Sequence, residues 1–149
     1  MIKTLNPDFK RTIQERLQRQ SFMTELGFEI TNIAEGAITG QLILQPRHFQ
    51  HNGFVHGGVT ATVSDTVAGL AALSLVPAGF HVVTAELKVS YFNPGVGEVL
   101  SARGWVLKQG RKLNFCEAEV FCMKGDAPAV LIAKASATMA ILHPEEVQK

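Results

Sequence analysis

Between His48 and Ala85 the chain carries a single acidic or basic side chain, Asp65, if the histidines are set aside. Asp65 lies inside an almost wholly apolar helical run, Val59 to Val76. A helix apolar on nearly all sides has to be surrounded by the rest of the molecule. That demand constrains the fold more than any other feature of the chain. A lone carboxylate in such a helix is costly to desolvate, so it is either held by structural partners or used chemically. His56-Gly57-Gly58 precedes the run and reads as a helix start, with Asp65 nine residues after the histidine.

The flanking sequence supplies what could surround the helix. Asn6-Pro7-Asp8 opens a first helix, about residues 8–22, in which Phe9, Ile13 and Leu17 recur every four residues among basic side chains. Phe28 to Ile33 reads as a short strand and Glu35-Gly36 as a turn. Ile38, Gly40, Leu42 and Leu44 then alternate with Thr39, Gln41 and Ile43, the pattern of a strand with one buried face, and Pro46 ends it. A loop rich in His, Gln, Asn and Gly leads to the long helix, about Gly57 to Leu75, which Pro77-Ala78-Gly79 stops.

Four more strands follow, separated by Asn93-Pro94-Gly95, Gln109-Gly110-Arg111 and Lys124-Gly125-Asp126. Such short turns favour antiparallel pairing. The simplest arrangement is α+β, a curved antiparallel sheet wrapped around the long helix. At 149 residues the chain makes one domain with one core.

Composition narrows the function classes. The formal net charge of +1 gives no long-range field toward nucleic acid or an anionic membrane. No signal peptide is readable in Met1 to Gln20, and no unbroken apolar run is long enough for a membrane span. The charged fraction of 18% is low for a monomer and hints at surface covered in an oligomer. Cys116 and Cys122, on one strand, would stand roughly 20 Å apart and cannot bond to each other within it. That fits a reduced, cytoplasmic protein.

The segment His56-Gly57-Gly58-Val59-Thr60-Ala61-Thr62-Val63-Ser64-Asp65 resembles the motif of PaaI-type acyl-CoA thioesterases of the hotdog fold. Val83 to Pro94 resembles that family's third strand, and Val106 to Lys112 the hairpin after it. The resemblance covers roughly residues 25–142. It implies hydrolysis of acyl-CoA to free acid and CoA. It also implies a homodimer or homotetramer with sites between subunits, and no metal or organic cofactor.

The residues suit that chemistry. Attack of water on a thioester carbonyl develops an oxyanion, and the N–H groups that open a helix lack partners and carry partial positive charge. Gly57 and Gly58 let a carbonyl oxygen approach closely, with the Gly57 N–H as the main oxyanion donor and Gly58 lining the substrate. Asp65 serves as general base or as nucleophile, and the sequence does not separate the two. Eight residues of helix put Gly57 and Asp65 about 12 Å apart, too far to share one carbonyl within one subunit. If both are catalytic, the site lies between two copies.

Gln50 stands where related thioesterases carry Asn or Gln, and would orient water or polarise the carbonyl. Asn52 is a weaker candidate for that duty and also fits a turn before Gly53. His56 would hold the loop or contact the thioester, and Thr84 matches a hydroxyl position that helps place water. Arg111 and Lys112, in a hairpin turn, could meet the CoA phosphates. His48, His51 and His56 fit no strong zinc pattern. The pairing of Gln50 with Asp65 mixes features of different subgroups, so the acyl group stays open between aromatic and medium-chain. The rival readings are a hotdog hydratase or dehydratase and a non-catalytic acyl-CoA-binding or regulatory module.

Overall fold

A computed structural model describes residues 2–147. Two helices, α1 (Phe9–Leu17) and α2 (Ser21–Leu26), lead into strands β1 (Phe28–Ala34) and β2 (Ala37–Ile43). A 3-10 turn at Pro46–His48 precedes the long helix α3 (Gly57–Leu73). Strands β3 (His81–Tyr91), β4 (Val99–Lys108), β5 (Leu113–Met123) and β6 (Val130–Leu142) follow, and a short α4 (Pro144–Val147) ends the described chain. All pairings are antiparallel, in the order β1-β2-β4-β5-β6-β3. The sheet curls around α3, which touches β2, β3, β4, β5 and β6. This is the hotdog arrangement.

The predicted elements recur, the 3-10 turn and α4 are additions to them, and two helices differ in their bounds. The single N-terminal helix expected over residues 8–22 is two helices, because the apolar stripe of Phe9, Ile13 and Leu17 reaches polar residues at Gln20 and Ser21. The last turn of α1 tightens through Arg19 N–H to Arg16 O and Gln20 N–H to Leu17 O, and the chain changes direction. The long helix ends at Leu73 rather than Leu75 because the Ser74 hydroxyl bonds back to Ala71 O and accepts the Gly36 N–H, fixing the end of the helix to the β1–β2 turn.

Small residues set how closely helix and sheet approach. Ala102 and Gly104 on β4, Ala118 on β5 and Ala135 and Ala137 on β6 face Val63, Val67, Ala68, Ala71 and Ala72 of α3 in the core. At Gly104 a Cβ would stand 2.6 Å from the Val67 carbonyl carbon and 2.7 Å from the Ala68 nitrogen. Both are backbone atoms, so no side-chain rotation relieves the clash. Gly104→Ala is expected to cost about 3 kcal/mol, at the upper end of overpacking effects, read as a fall in the urea midpoint. An unchanged midpoint would mean that helix and sheet slide apart freely.

Cys116 and Cys122 are buried free thiols on the inner face of β5. Burial pushes the Cys116 thiol up to about 12 and raises Cys122 as well, which makes both poor nucleophiles. No helix among the described residues is long and apolar enough to cross a membrane.

One sequence inference needs correction. The helix is not surrounded within a single chain: Thr62, Asp65, Thr66 and Gly69 face an open groove beside β3. β3 is also the end strand of the sheet, exposed along Thr84, Ala85 and Glu86, with Val83 46% accessible. A bulge between Thr84 and Glu86 breaks its register with β6.

Candidate active site

The loop before α3 is built to present the helix N-terminus. Gln50 and Phe54 close a small turn through the Gln50 N–H to Phe54 O bond of 2.8 Å, with Gly53 in the left-handed region at φ 81°. Asn52 lies exposed on that turn, outside both grooves described below, which favours the turn-forming role over a catalytic one. His48 is buried, and its Nδ1 accepts from the Gln45 N–H at 3.0 Å. The other ring nitrogen, Nε2, then carries the proton toward Leu26 O, 2.9 Å away. His48 therefore fastens the loop, and both of its nitrogens are engaged.

His56 is the N-cap of α3, and its Nδ1 accepts the Gly58 N–H at 2.9 Å. This cap divides the two glycines that looked equivalent in the sequence. The Gly58 donor is spent on His56. The Gly57 N–H, among the described residues, has no such partner. It is therefore the donor that stays available to a ligand. The Gly57 carbonyl accepts from the Tyr91 hydroxyl at 2.8 Å, so the end of β3 pins the start of α3. The sequence reading missed Tyr91 for this duty; the only signal was that it is the chain's one tyrosine, just before the Asn93-Pro94 turn. Gln50, Gly57 and Tyr91 line one groove of about 370 Å3, closed on its far side by Asn93-Pro94-Gly95.

Asp65 lies in a different groove, of about 590 Å3, on the open face of α3. The Thr84 hydroxyl donates to Asp65 Oδ1 at 2.6 Å, and no cation pairs with this carboxylate among the described residues. The bulge next to Thr84 in β3 sets this hydroxyl against α3. From Asp65 toward the C-terminal end of α3 the groove becomes apolar, with Met23, Leu70, Leu73 and Val82. The Thr66 hydroxyl donates to Thr62 O at 2.8 Å and touches the Met23 sulfur at 3.4 Å, so α2 forms one wall.

Asp65 and Thr84 are thus brought together, as are Gln50 and Gly57. The two pairs are not brought together within one chain, in keeping with the helix spacing. Arg111 and Lys112 sit apart from both, on the turn near the C-terminal end of α3, where Arg111 lines a third cavity with Leu75, Pro77 and Gln109.

Comparison with known proteins identifies the family. The thioesterase superfamily model matches residues 52–129, from the loop before the helix into the β5–β6 turn. A Caenorhabditis elegans protein whose name assigns it provisionally to the esterases is 32% identical over 111 residues, covering 74% of this chain and 63% of that relative, under two thirds of its length. Human acyl-coenzyme A thioesterase 13 is 26% identical over 119 residues, covering 78% of this chain and 84% of that protein. A thioesterase family protein from Silicibacter pomeroyi superposes with a TM-score of 0.88 at 31% identity, over 91% of this chain and 98% of its own. The Escherichia coli PaaI protein, at 17% identity, shares the fold with a TM-score of 0.79 over 92% of this chain and 95% of its own. With the family match spanning more than half of the chain and the sheet, helix and loop in place, the protein belongs to the thioesterase superfamily of hotdog-fold thioester hydrolases.

Proposed function

We propose that the chain is an acyl-CoA thioesterase whose active site forms between two copies. The observation that carries this reading is the division of the machinery. An Asp65 carboxylate oriented by Thr84 lies in one groove, and an uncommitted Gly57 N–H beside Gln50 lies in another. Pairing of two copies across the exposed β3 edges would bring the halves of different chains to one thioester. The name of the human relative, acyl-coenzyme A thioesterase 13, supports CoA as the carrier.

In this reading the substrate carbonyl oxygen rests against the Gly57 N–H at the positive end of α3. Gln50 orients water or polarises the carbonyl, and Gly58 lets the substrate backbone pass close to the helix start. Asp65 of the second copy takes a proton from water. The C–O bond forms, the tetrahedral oxyanion collapses, and the C–S bond breaks with the proton passing to the CoA thiolate. If Asp65 attacks directly, its oxygen bonds to the acyl carbon, the C–S bond breaks and CoA leaves as the thiolate, protonated from solvent; water then cleaves the mixed anhydride to the free acid and restores the carboxylate. Either route needs no metal or organic cofactor. His56 positions the site as the cap of α3. Arg111 and Lys112, which sit apart from both grooves, would meet the CoA phosphates only where the nucleotide end runs out of the shared site toward their turn, and Asn52 only shapes its own turn. The protein acts in the cytoplasm, where thiols stay reduced.

The test is release of free thiol from aryl-acyl, short, medium and long acyl-CoAs. Release from at least one class, with a clear ranking among them, is the expected result. Tight acyl-CoA binding without thiol release would replace the enzyme with the non-catalytic binding module.

A further inference from the structure

The groove that begins at Asp65 ends on a cation. Arg16, on the last turn of α1, lines it together with Gln20, and its Nη2 donates to Phe80 O at 2.7 Å. That single bond holds the guanidinium half-buried at the mouth of the segment that follows α3. No carboxylate pairs with Arg16 among the described residues, although a guanidinium carries five N–H donors. Burial, with the nearby charge of Arg16 as the lesser cause, presses the neighbouring His81 below the usual histidine range. Asp65 is the only acidic residue lining the groove.

Two rulers give the length of this passage. From Asp65 to Leu73 is eight residues of helix, about 12 Å. From Thr84, bonded to Asp65, back to Phe80, bonded to Arg16, is four residues of extended chain, about 13 Å. Between the two ends the wall is apolar, and Phe22 of α2 stands 64% exposed along it. An extended alkyl chain advances about 1.25 Å per carbon, given bonds of about 1.5 Å at tetrahedral angles. The passage therefore matches roughly ten carbons.

Resting on the acyl-CoA reading above, we propose that Arg16 reads the far end of the acyl group and that the preferred substrates are medium-length acyl-CoAs bearing a terminal carboxylate. An apolar passage with a chemical base at one end and an unpaired guanidinium at the other fits a chain that is polar at both ends. A planar guanidinium binds a carboxylate through paired hydrogen bonds, which a methyl terminus cannot offer.

The experiment compares ω-carboxynonanoyl-CoA with decanoyl-CoA, substrates that share the CoA and the chain length and differ only at the tail. Wild type is expected to favour the carboxylated chain in kcat/KM by about 10-fold or more, and Arg16→Met to lower kcat/KM for that substrate by about 30-fold while decanoyl-CoA changes less than about 3-fold. Arg16→Lys should fall between them. Equal losses on both substrates would reduce Arg16 to an anchor for Phe80, and a wild-type preference for decanoyl-CoA would overturn the proposal even if Arg16→Met failed to fold. Failure of the acyl-CoA reading looks different: no thiol from either compound. Calorimetric binding of the same two compounds to wild type and Arg16→Lys then decides the tail question. Tighter binding of the carboxylated chain that weakens in the variant sustains it, and indifference to the tail ends it.

Discussion

Asp65→Asn is expected to lower kcat for acyl-CoA hydrolysis by about 10²-fold or more, with KM nearly unchanged and the fold intact. The amide has the shape of the carboxylate. Its oxygen can still accept from the Thr84 hydroxyl, which now bonds Asp65 Oδ1 at 2.6 Å, so the β3–α3 contact survives. What disappears is the basic, nucleophilic oxygen on the open side of the carboxylate. Circular dichroism and the thermal midpoint should match wild type, because no ion pair is lost among the described residues. Turnover within a few-fold of wild type would remove Asp65 from the chemistry and leave it as a partner for Thr84 alone.

Gly57→Pro is the complementary experiment. Gly57 is the first residue of α3, a position where proline suits the helix because its fixed φ is already helical and its missing N–H has no intrahelical partner. The preceding His56 has φ −62° and ψ 132°, the extended conformation that proline imposes on its neighbour. A Cβ at Gly57 would meet the Tyr91 hydroxyl at 3.4 Å and its ring at 3.5 Å, at the edge of ordinary contact. The substitution thus removes one hydrogen-bond donor and little else. Loss of an oxyanion donor corresponds to about 10²- to 10³-fold in kcat. Mixing this variant with Asp65→Asn through a cycle of unfolding and refolding should restore activity. Half of the dimers would be mixed, and each would hold one site with both halves intact, so recovery approaches about a quarter of wild type. A mixture as inactive as its components would place the site within one chain.

Much of this architecture was legible because it depends on local pattern. Alternation located β2, β3 and β5, and the Pro and Gly turns bounded β4 and β6 between them. The isolated carboxylate in the apolar helix points to Asp65, and eight residues of helical rise separate it from Gly57 on spacing alone. What stayed hidden depends on which groups meet across the fold. Nothing in His56-Gly57-Gly58 says that the imidazole takes the Gly58 donor and leaves Gly57 free. Tyr91 read as one more strand residue until its hydroxyl was seen on the Gly57 carbonyl. Arg16 looked like solvent-facing charge on an amphipathic helix, yet it crosses to Phe80 and ends a groove. The helix hydrophobic on nearly all sides was taken to be enclosed by its own sheet, when one face is left open.

The edge position of β3 has a consequence for a single copy of the chain. Its eleven residues from His81 to Tyr91 include no proline, so their backbone groups offer a continuous template to any extended segment. Glu86 and Lys88, in the middle of the strand, act as gatekeepers that disfavour indiscriminate stacking into fibrils, and the bulge beside Thr84 adds a twist that a flat cross-β partner cannot follow. In the proposed dimer a second copy would cover this edge, so a variant confined to single copies would rely on the bulge and the two charges alone to resist stray pairing.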